Sequence, residues 1–196
     1  MNARRSGFTL VELMIALVLL GIVVTKLTIV IGEARSSFGR ESARMAVEDR
    51  ALYVLDQIAF AVMGSDRGTL NPDPALPAFS SLLRYQISMG VEDGEVVWSA
   101  PQRIALTNDT GRQVTWFEQP GLANERRVAW SNWVTQLFEG EVANGLDDNR
   151  NGLKDEKGLS FDLDGDSVII RLTIEKPGVD GEPIVKTLQT RVTCRN

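Results

Sequence analysis

An apolar run near the N-terminus is long enough to cross a membrane, and it limits what this chain can fold into more than any other feature. From Phe8 to Ile31 about 24 residues are almost all apolar, and a helix of that length spans a hydrocarbon core of roughly 30 Å. Arg4 and Arg5 precede the run, which favours a cytoplasmic N-terminus. Lys26 lies close enough to the far end for its ammonium to reach the opposite interface. The sequence therefore predicts one membrane-spanning helix.

Glu12 is the residue that a simple membrane anchor does not explain. An ionised carboxylate inside an apolar span costs about 2.5–3.5 kcal/mol on insertion, so it needs a partner or a function. A secretory signal would instead place a small-residue cleavage site after the run, and residues 31–37 contain no convincing one. The plain anchor stays open as the alternative.

Residues 7–12 read Gly-Phe-Thr-Leu-Val-Glu, and they resemble the prepilin processing motif of type IV pilins and type II secretion pseudopilins. The resemblance implies that prepilin peptidase cleaves between Gly7 and Phe8 and methylates the new amine of Phe8. It also implies that Glu12 pairs with the N-terminal amine of a neighbouring subunit during assembly. Cleavage creates a cation at the membrane surface, and a buried carboxylate is a natural counter-charge for it.

The helical pattern continues beyond the apolar run to residue 63, because residues 33–63 contain no proline and one glycine, Gly39. Apolar residues recur at helical spacing and predict one buried face; they are Leu52, Leu55, Ile58, Ala59 and Val62. Charged residues supply the opposite side; they are Glu41, Arg44, Glu48 and Asp56. The turn-rich residues 64–74, with two prolines, end the helix.

Residues 64–196 have the alternation and turn signals of antiparallel strands. Hairpins are predicted from residues 82–89 with 95–99, 103–107 with 113–118, and 167–175 with 184–193, and a further strand from 128–137. The predicted fold class is α+β, a long N-terminal helix packed on a C-terminal antiparallel β-sheet, which is also the pilin architecture that the resemblance implies. The predicted divisions are a leader at 1–7, a membrane or filament-core half-helix at 8–31, an amphipathic half-helix at 32–63 and a β-rich head at 64–196.

An acidic segment at residues 144–166 carries a calcium-loop pattern. With Asp147 at position one, Asn149 is three, Asn151 five, Gly152 six and Asp155 nine. Position seven is Leu153, whose backbone carbonyl would be the ligand. Oxygen ligands that include neutral asparagines suit calcium better than a transition metal.

The pattern departs from an EF-hand at position twelve, which is Gly158 instead of glutamate. Glu156, or one of Asp162, Asp164 and Asp166 in the turn that follows, could supply the missing carboxylate. The alternative is a solvated acidic loop whose Asp and Asn residues serve turn geometry.

Composition excludes several other classes of function. A net charge of −5 disfavours a nucleic-acid partner, and the absence of histidine removes histidine bases and histidine-ligated zinc. No nucleophile–base pairing or phosphate loop is present in the sequence, so we do not expect an enzyme. The single cysteine, Cys194, cannot form an internal disulfide. The four tryptophans favour sheet packing over a sugar or peptide platform.

The ending Thr-Arg-Val-Thr-Cys-Arg-Asn resembles the C-terminal strand of minor pilins and J-type minor pseudopilins. That resemblance implies a subunit that starts or caps a filament, with a tip adhesin or ligand-binding subunit and a type II secretion minor pseudopilin as alternatives. The implied partners are other pilin or pseudopilin subunits, prepilin peptidase, the inner-membrane assembly platform and, before assembly, membrane lipid. The implied locations are the bacterial inner membrane for the precursor and a periplasmic or cell-surface filament afterwards. Pilus, secretion and DNA-uptake machines all remain open.

Overall fold

The computed structural model of the chain describes residues 9–73, 78–107, 110–178 and 181–194. The chain divides into an N-terminal unit, Met1–Ser42, and a C-terminal unit, Ala43–Asn196, here named the head. The predicted leader at residues 1–7 and the predicted cleavage junction between Gly7 and Phe8 lie outside the described residues.

One continuous helix, α1, runs from Leu10 to Met63. It begins with a reciprocal cap between Thr9 and Glu12, the pattern known as a capping box. It ends where Gly64 donates its N–H to the carbonyl of Phe60 at 3.0 Å and the chain turns away. The predicted long helix is confirmed.

The N-terminal part of α1 is apolar on all sides. An 18-residue stretch near the N-terminus has a mean hydropathy of 2.7, and none of it is buried inside the protein. Thr25 and Thr28 donate their hydroxyls to carbonyls one turn earlier, at 2.8 and 2.9 Å, which satisfies polar groups within the apolar surface. By length and composition this segment can cross a membrane.

Within the head, α1 buries one face against the sheets. Its buried residues are Val47, Ala51, Val54, Leu55, Ile58 and Val62. Burial was predicted correctly for Leu55, Ile58 and Val62. The prediction was wrong for Leu52, which is 45% exposed. Ala51 lies on the buried face instead. Because consecutive side chains on a helix are about 100° apart, Leu52 lies off that face.

The head contains ten strands in the described residues, all paired in antiparallel fashion. They are β1 (Ala78–Ser80), β2 (Leu82–Tyr85), β3 (Ser88–Glu92), β4 (Glu95–Trp98), β5 (Gln102–Thr107), β6 (Gln113–Glu118), β7 (Arg126–Ser131), β8 (Leu159–Asp164), β9 (Ser167–Pro177) and β10 (Pro183–Thr193). The first sheet has the order β1-β8-β9-β10, the second has the order β2-β5-β6-β7, and β3 and β4 form a separate two-stranded ribbon. A long helix with antiparallel sheets confirms the α+β prediction.

Alternating residues of the sheets build the core with the buried face of α1. In the first sheet, Leu159, Phe161 and Leu163 of β8 are fully buried. In the second sheet, Leu83 and Ile104 are likewise fully buried. Both sheets therefore contribute to one cluster of apolar side chains.

Two of the predicted hairpins are confirmed, and the third is confirmed in part. The last hairpin pairs in register from Ser167 with Thr193 to Pro177 with Pro183, and β5 pairs with β6 along its whole length. The hairpin predicted from 82–89 with 95–99 forms between β3 and β4. The single strand predicted at 82–89 is wrong, because β2 ends at Tyr85 and pairs with β5 instead.

Three further differences concern the middle of the head. The strand predicted at 128–137 is β7, which ends at Ser131, after which Val134 makes only an isolated bridge to Ile174. Strands β1 and β8 were not predicted. Residues 161–164, predicted as part of an oxygen-rich turn, instead belong to β8, because Phe161 and Leu163 are buried in alternation.

Candidate functional site

Glu12 lies in the first turn of α1, where its carboxylate caps the helix. Its Oε2 accepts the backbone N–H of Thr9 at 2.8 Å and the Thr9 hydroxyl at 2.9 Å. In return, the N–H of Glu12 donates to Thr9 Oγ1 at 3.3 Å. A negative charge in the first turn is also favoured by the helix dipole. The cap therefore holds the carboxylate at the N-terminal end of the span.

The surroundings of Glu12 are apolar and open. Leu10, Val11, Leu13 and Met14 are all more than half exposed. A carboxylate surrounded by such side chains is solvated poorly once lipid or other apolar chains cover them. The sequence did not lead us to the role of Thr9, although Thr-x-x-Glu before an apolar run is the recognised signal for this cap.

An apolar span that precedes an α+β head is the arrangement predicted for a pilin-like subunit. A family model described as the prokaryotic N-terminal methylation motif matches residues 2–25, a segment that includes Gly7, Phe8 and Glu12. The match supports membership of the type IV pilin and pseudopilin family, and it implies processing by prepilin peptidase and assembly with other pilin subunits. The motif points to a structural subunit. Searches of curated proteins and of solved structures gave no match.

The acidic segment forms a loop between β7 and β8 that is closed at its base. Leu137 and Lys157 form an isolated bridge, and Phe138 donates its N–H to the carbonyl of Glu156 at 2.8 Å. Gly158 follows directly and lies against the backbone of Thr135, where an added Cβ would come within 2.2 Å of the carbonyl oxygen. Position twelve of the calcium-loop pattern therefore cannot carry a side chain without moving that backbone.

Inside the loop, the first three predicted metal ligands organise the backbone. Asp147 accepts the N–H of Asn151 at 3.1 Å and that of Gly152 at 2.8 Å. Asn149 Oδ1 accepts the N–H of Asn151 at 3.0 Å, and Asn151 Oδ1 accepts the N–H of Leu153 at 2.9 Å. Gly152 has a φ of 92°, which favours glycine at the sharp turn. The alternating oxygen side chains thus lie on one tightly turned segment.

Two buried glutamates hold this segment in place through hydrogen bonds. Glu156 is fully buried, and its Oε2 accepts the amide groups of Asn149 and Asn151. Glu141, also buried, accepts the N–H of Asn149 at 3.1 Å and that of Asp155 at 3.0 Å. Glu141 lies outside the 144–166 segment, and its contacts with the loop were not predicted from the sequence.

The other predicted ligands lie in different surroundings. The Asp155 carboxylate accepts the N–H groups of Asn144 and Gly145 and so caps the preceding turn. Asp164 is exposed at the end of β8. Asp162 contacts the guanidinium of Arg171 at 3.5 Å.

Arg171 joins the loop to the first sheet. Its Nη1 lies 3.8 Å from Glu156 Oε1, and its Nη2 contacts Asp162. Neither Arg171 Nη1 nor Glu156 Oε1 has a hydrogen bond in the part of the chain that the structure describes. The ion pair is therefore long, and it leaves one buried carboxylate oxygen without a close donor.

Within residues 9–73, 78–107, 110–178 and 181–194, no group of three or more His, Cys, Asp or Glu side chains is placed to hold a metal ion. A cation in the loop would therefore depend on asparagine and main-chain oxygens beside the carboxylates of Asp147 and Glu156. Hard oxygen donors of this mixed kind are what calcium accepts.

Proposed function

We propose that this chain is a minor pilin or pseudopilin subunit that starts or caps a type IV pilus-like filament. The observation that carries the proposal is the position of Glu12, a capped carboxylate that lies within the methylation motif and at the start of an uncovered apolar span. Removal of the leader would leave a methylated amine at Phe8. The Glu12 carboxylate of an adjacent subunit is its natural counter-charge when water is excluded.

Before assembly, the same helix needs an apolar environment, which membrane lipid provides. We therefore propose a precursor in the bacterial inner membrane with a cytoplasmic N-terminus. The inner-membrane assembly platform would then transfer the processed subunit into a periplasmic or cell-surface filament. The C-terminal Cys194-Arg-Asn ending supports a minor subunit by its resemblance to minor pilins.

The test is deletion of the gene, followed by counting of filaments and quantitative proteomics of sheared filaments. We expect fewer filaments of normal length, restored by the wild-type gene, and a low copy number of this subunit. Finding this chain as the dominant subunit would contradict the minor role. Unchanged filament number would contradict a role in initiation.

A tip adhesin and a type II secretion minor pseudopilin remain the alternatives of the same class. An adhesin mutant keeps its filaments and loses attachment, whereas a pseudopilin mutant loses secretion. The deletion strain therefore separates all three functions in one set of assays.

We further propose that the loop at residues 138–158 binds calcium. Three features support this: the spacing of Asp147, Asn149 and Asn151, the sharp turn at Gly152, and the buried Glu156 oxygen that lacks a hydrogen bond. The loop lies in the head, and extracytoplasmic calcium would fill even a site with an affinity of about 10⁻⁴–10⁻³ M. Bound calcium would stabilise the contacts of the loop with β8 and β9.

A further inference from the structure

The head contains an open groove between the end of α1 and the second sheet. Its volume is about 420 Å³, inside the range of roughly 300–1,000 Å³ typical of ligand pockets. Gln57 and Phe60 form the helix side. Trp116, Val128 and Trp130 form much of the sheet side. Neither the N-terminal motif nor the acidic loop is part of this groove.

The apolar walls combine open surface with firm support. Phe60 is 67% exposed and Val128 is 47% exposed, so both offer uncovered apolar surface at the rim. Trp116 and Trp130 are half-buried and pack against the core cluster of the head. Their rings are therefore held in place, and aromatic rings fixed in this way lose little entropy on binding a flat ligand.

The polar groups of the groove are also fixed in position. Trp116 Nε1 donates to Tyr85 Oη and to Gln102 Oε1, both at 3.0 Å. The Gln102 amide is thereby held at the wall, where its Nε2 can donate to a ligand. Gln57 adds a second amide from the helix side. Two amides and a phenol thus line the groove together with the aromatic rings.

The charge of the groove restricts the ligand. None of the nine residues that line it carries a formal charge, since they are glutamine, aromatic and aliphatic residues. An ionic ligand would lose hydration there without gaining a counter-charge. A sugar ring has the complementary chemistry, with C–H groups on a face that packs on aromatic rings and hydroxyls at its edge that bond to amides.

We propose that this groove binds a neutral oligosaccharide. The sugar face packs on Trp130 and Phe60, and its hydroxyls bond to the side chains of Gln57 and Gln102. A neighbouring subunit inserting only apolar side chains would leave both amides without partners. The inference concerns the head and goes beyond the filament role, so that its failure would leave the filament proposal intact.

The test uses the full chain, purified in a zwitterionic detergent so that no detergent sugar competes. Maltohexaose, cellohexaose and chitohexaose are titrated, with binding followed by tryptophan fluorescence and calorimetry. We expect saturable binding of at least one of them. Phe60→Ala and Gln57→Ala should each weaken it about five- to tenfold, the size of one aromatic or one hydrogen-bond contact.

Trp98→Ala is the matched control, because Trp98 is an exposed aromatic on the β3–β4 ribbon and does not line the groove. It should bind the sugar as the wild type does. The proposal is overturned if none of the three sugars binds, or if both groove variants bind like the wild type. Tighter binding of charged polygalacturonate than of any neutral probe would overturn it as well.

Discussion

Glu12 has one role that the structure shows and a second role that we propose, and a single substitution can separate them. Its carboxylate caps α1 through Thr9, and we propose that its charge pairs with an amine on another subunit. A glutamine keeps the hydrogen-bond acceptor of the cap and removes the charge. The cap is a local matter of helix stability, whereas the charge concerns assembly.

We therefore expect Glu12→Gln to insert into the membrane at normal levels and to fail in assembly, because the proposed ion pair is lost while the helix start is kept. Membrane fractionation and co-purification with partner subunits measure the two properties. Thr9→Ala is the control, since it weakens the cap by about 1 kcal/mol and leaves the charge in place. Normal filament number with Glu12→Gln would rule out the amine pairing.

Tyr85 gives the head a pH dependence that can be measured. It is almost fully buried, and this burial raises the pKa of its phenol above the ordinary value, although the hydrogen bond from Trp116 acts in the opposite direction. The folded state therefore holds the proton more strongly than the unfolded chain. The contribution of this phenol to the free energy of unfolding is complete below a pH of about 10, and it is lost as the pH rises toward the folded-state pKa.

We expect urea unfolding of the purified chain to show a midpoint that falls above a pH of about 10. Tyr85→Phe should make this fall shallower, at the cost of about 1 kcal/mol near neutral pH from the lost hydrogen bond. Tyr53→Phe, at an exposed position on α1, should leave the alkaline slope unchanged. Equal slopes for wild type and Tyr85→Phe would contradict this account.

At the scale of elements, helices and strands were predicted best from the sequence where the hydrophobic residues follow one clear period. The long helix, the β5–β6 hairpin and the β9–β10 hairpin follow from helical spacing or strict alternation beside a clear turn. Strand β8 was hidden because Asp162 and Asp164 alternate with Phe161 and Leu163, and the acidic residues were interpreted as a turn. Strand β1 has three residues, too few for a periodic signal.

The local structure of the acidic loop could be predicted from the sequence only in part. The calcium-loop spacing located Asp147, Asn149 and Asn151, whose side chains do organise one turn. Glu141 and Arg171 escaped prediction, because their contacts with the loop depend on tertiary folding. No local spacing connects Arg171 on β9 with Glu156 before β8.

The thermal stability of the acidic loop and the head is predicted to depend on calcium. Residues 147–166 contain seven acidic and three basic residues, so their mutual repulsion opposes compact packing unless a cation offsets it. We expect a higher thermal midpoint in calcium than in chelator, with little effect of equal magnesium. At 100 times the dissociation constant, calcium would add about 2.7 kcal/mol to the stability.

Asp147→Ala should abolish the difference between calcium and chelator, since it removes position one of the loop. Asp49→Ala, which removes a carboxylate from the exposed side of α1, should retain the difference. Identical melting curves in calcium and chelator, with no heat of binding, would leave the loop as a solvated acidic turn.

At the scale of the whole molecule, the two units have opposite solvent requirements. The head buries a core of its own, whereas the apolar span of the N-terminal unit is uncovered throughout. A surface of that size does not stay in water, and we propose that lipid covers it before assembly and apolar neighbours cover it afterwards. In this proposal, processing at the junction before the span connects the two states.

The measurement that tests this account most directly is intact-mass and N-terminal peptide analysis of the protein from membrane and filament fractions. We expect a mature chain that lacks residues 1–7 and begins with N-methylated Phe8. In a strain without prepilin peptidase, the full-length chain should accumulate in the membrane. A bulky substitution such as Gly7→Leu should give the same full-length product. A filament-borne protein that retains Met1 to Gly7 would contradict the assignment.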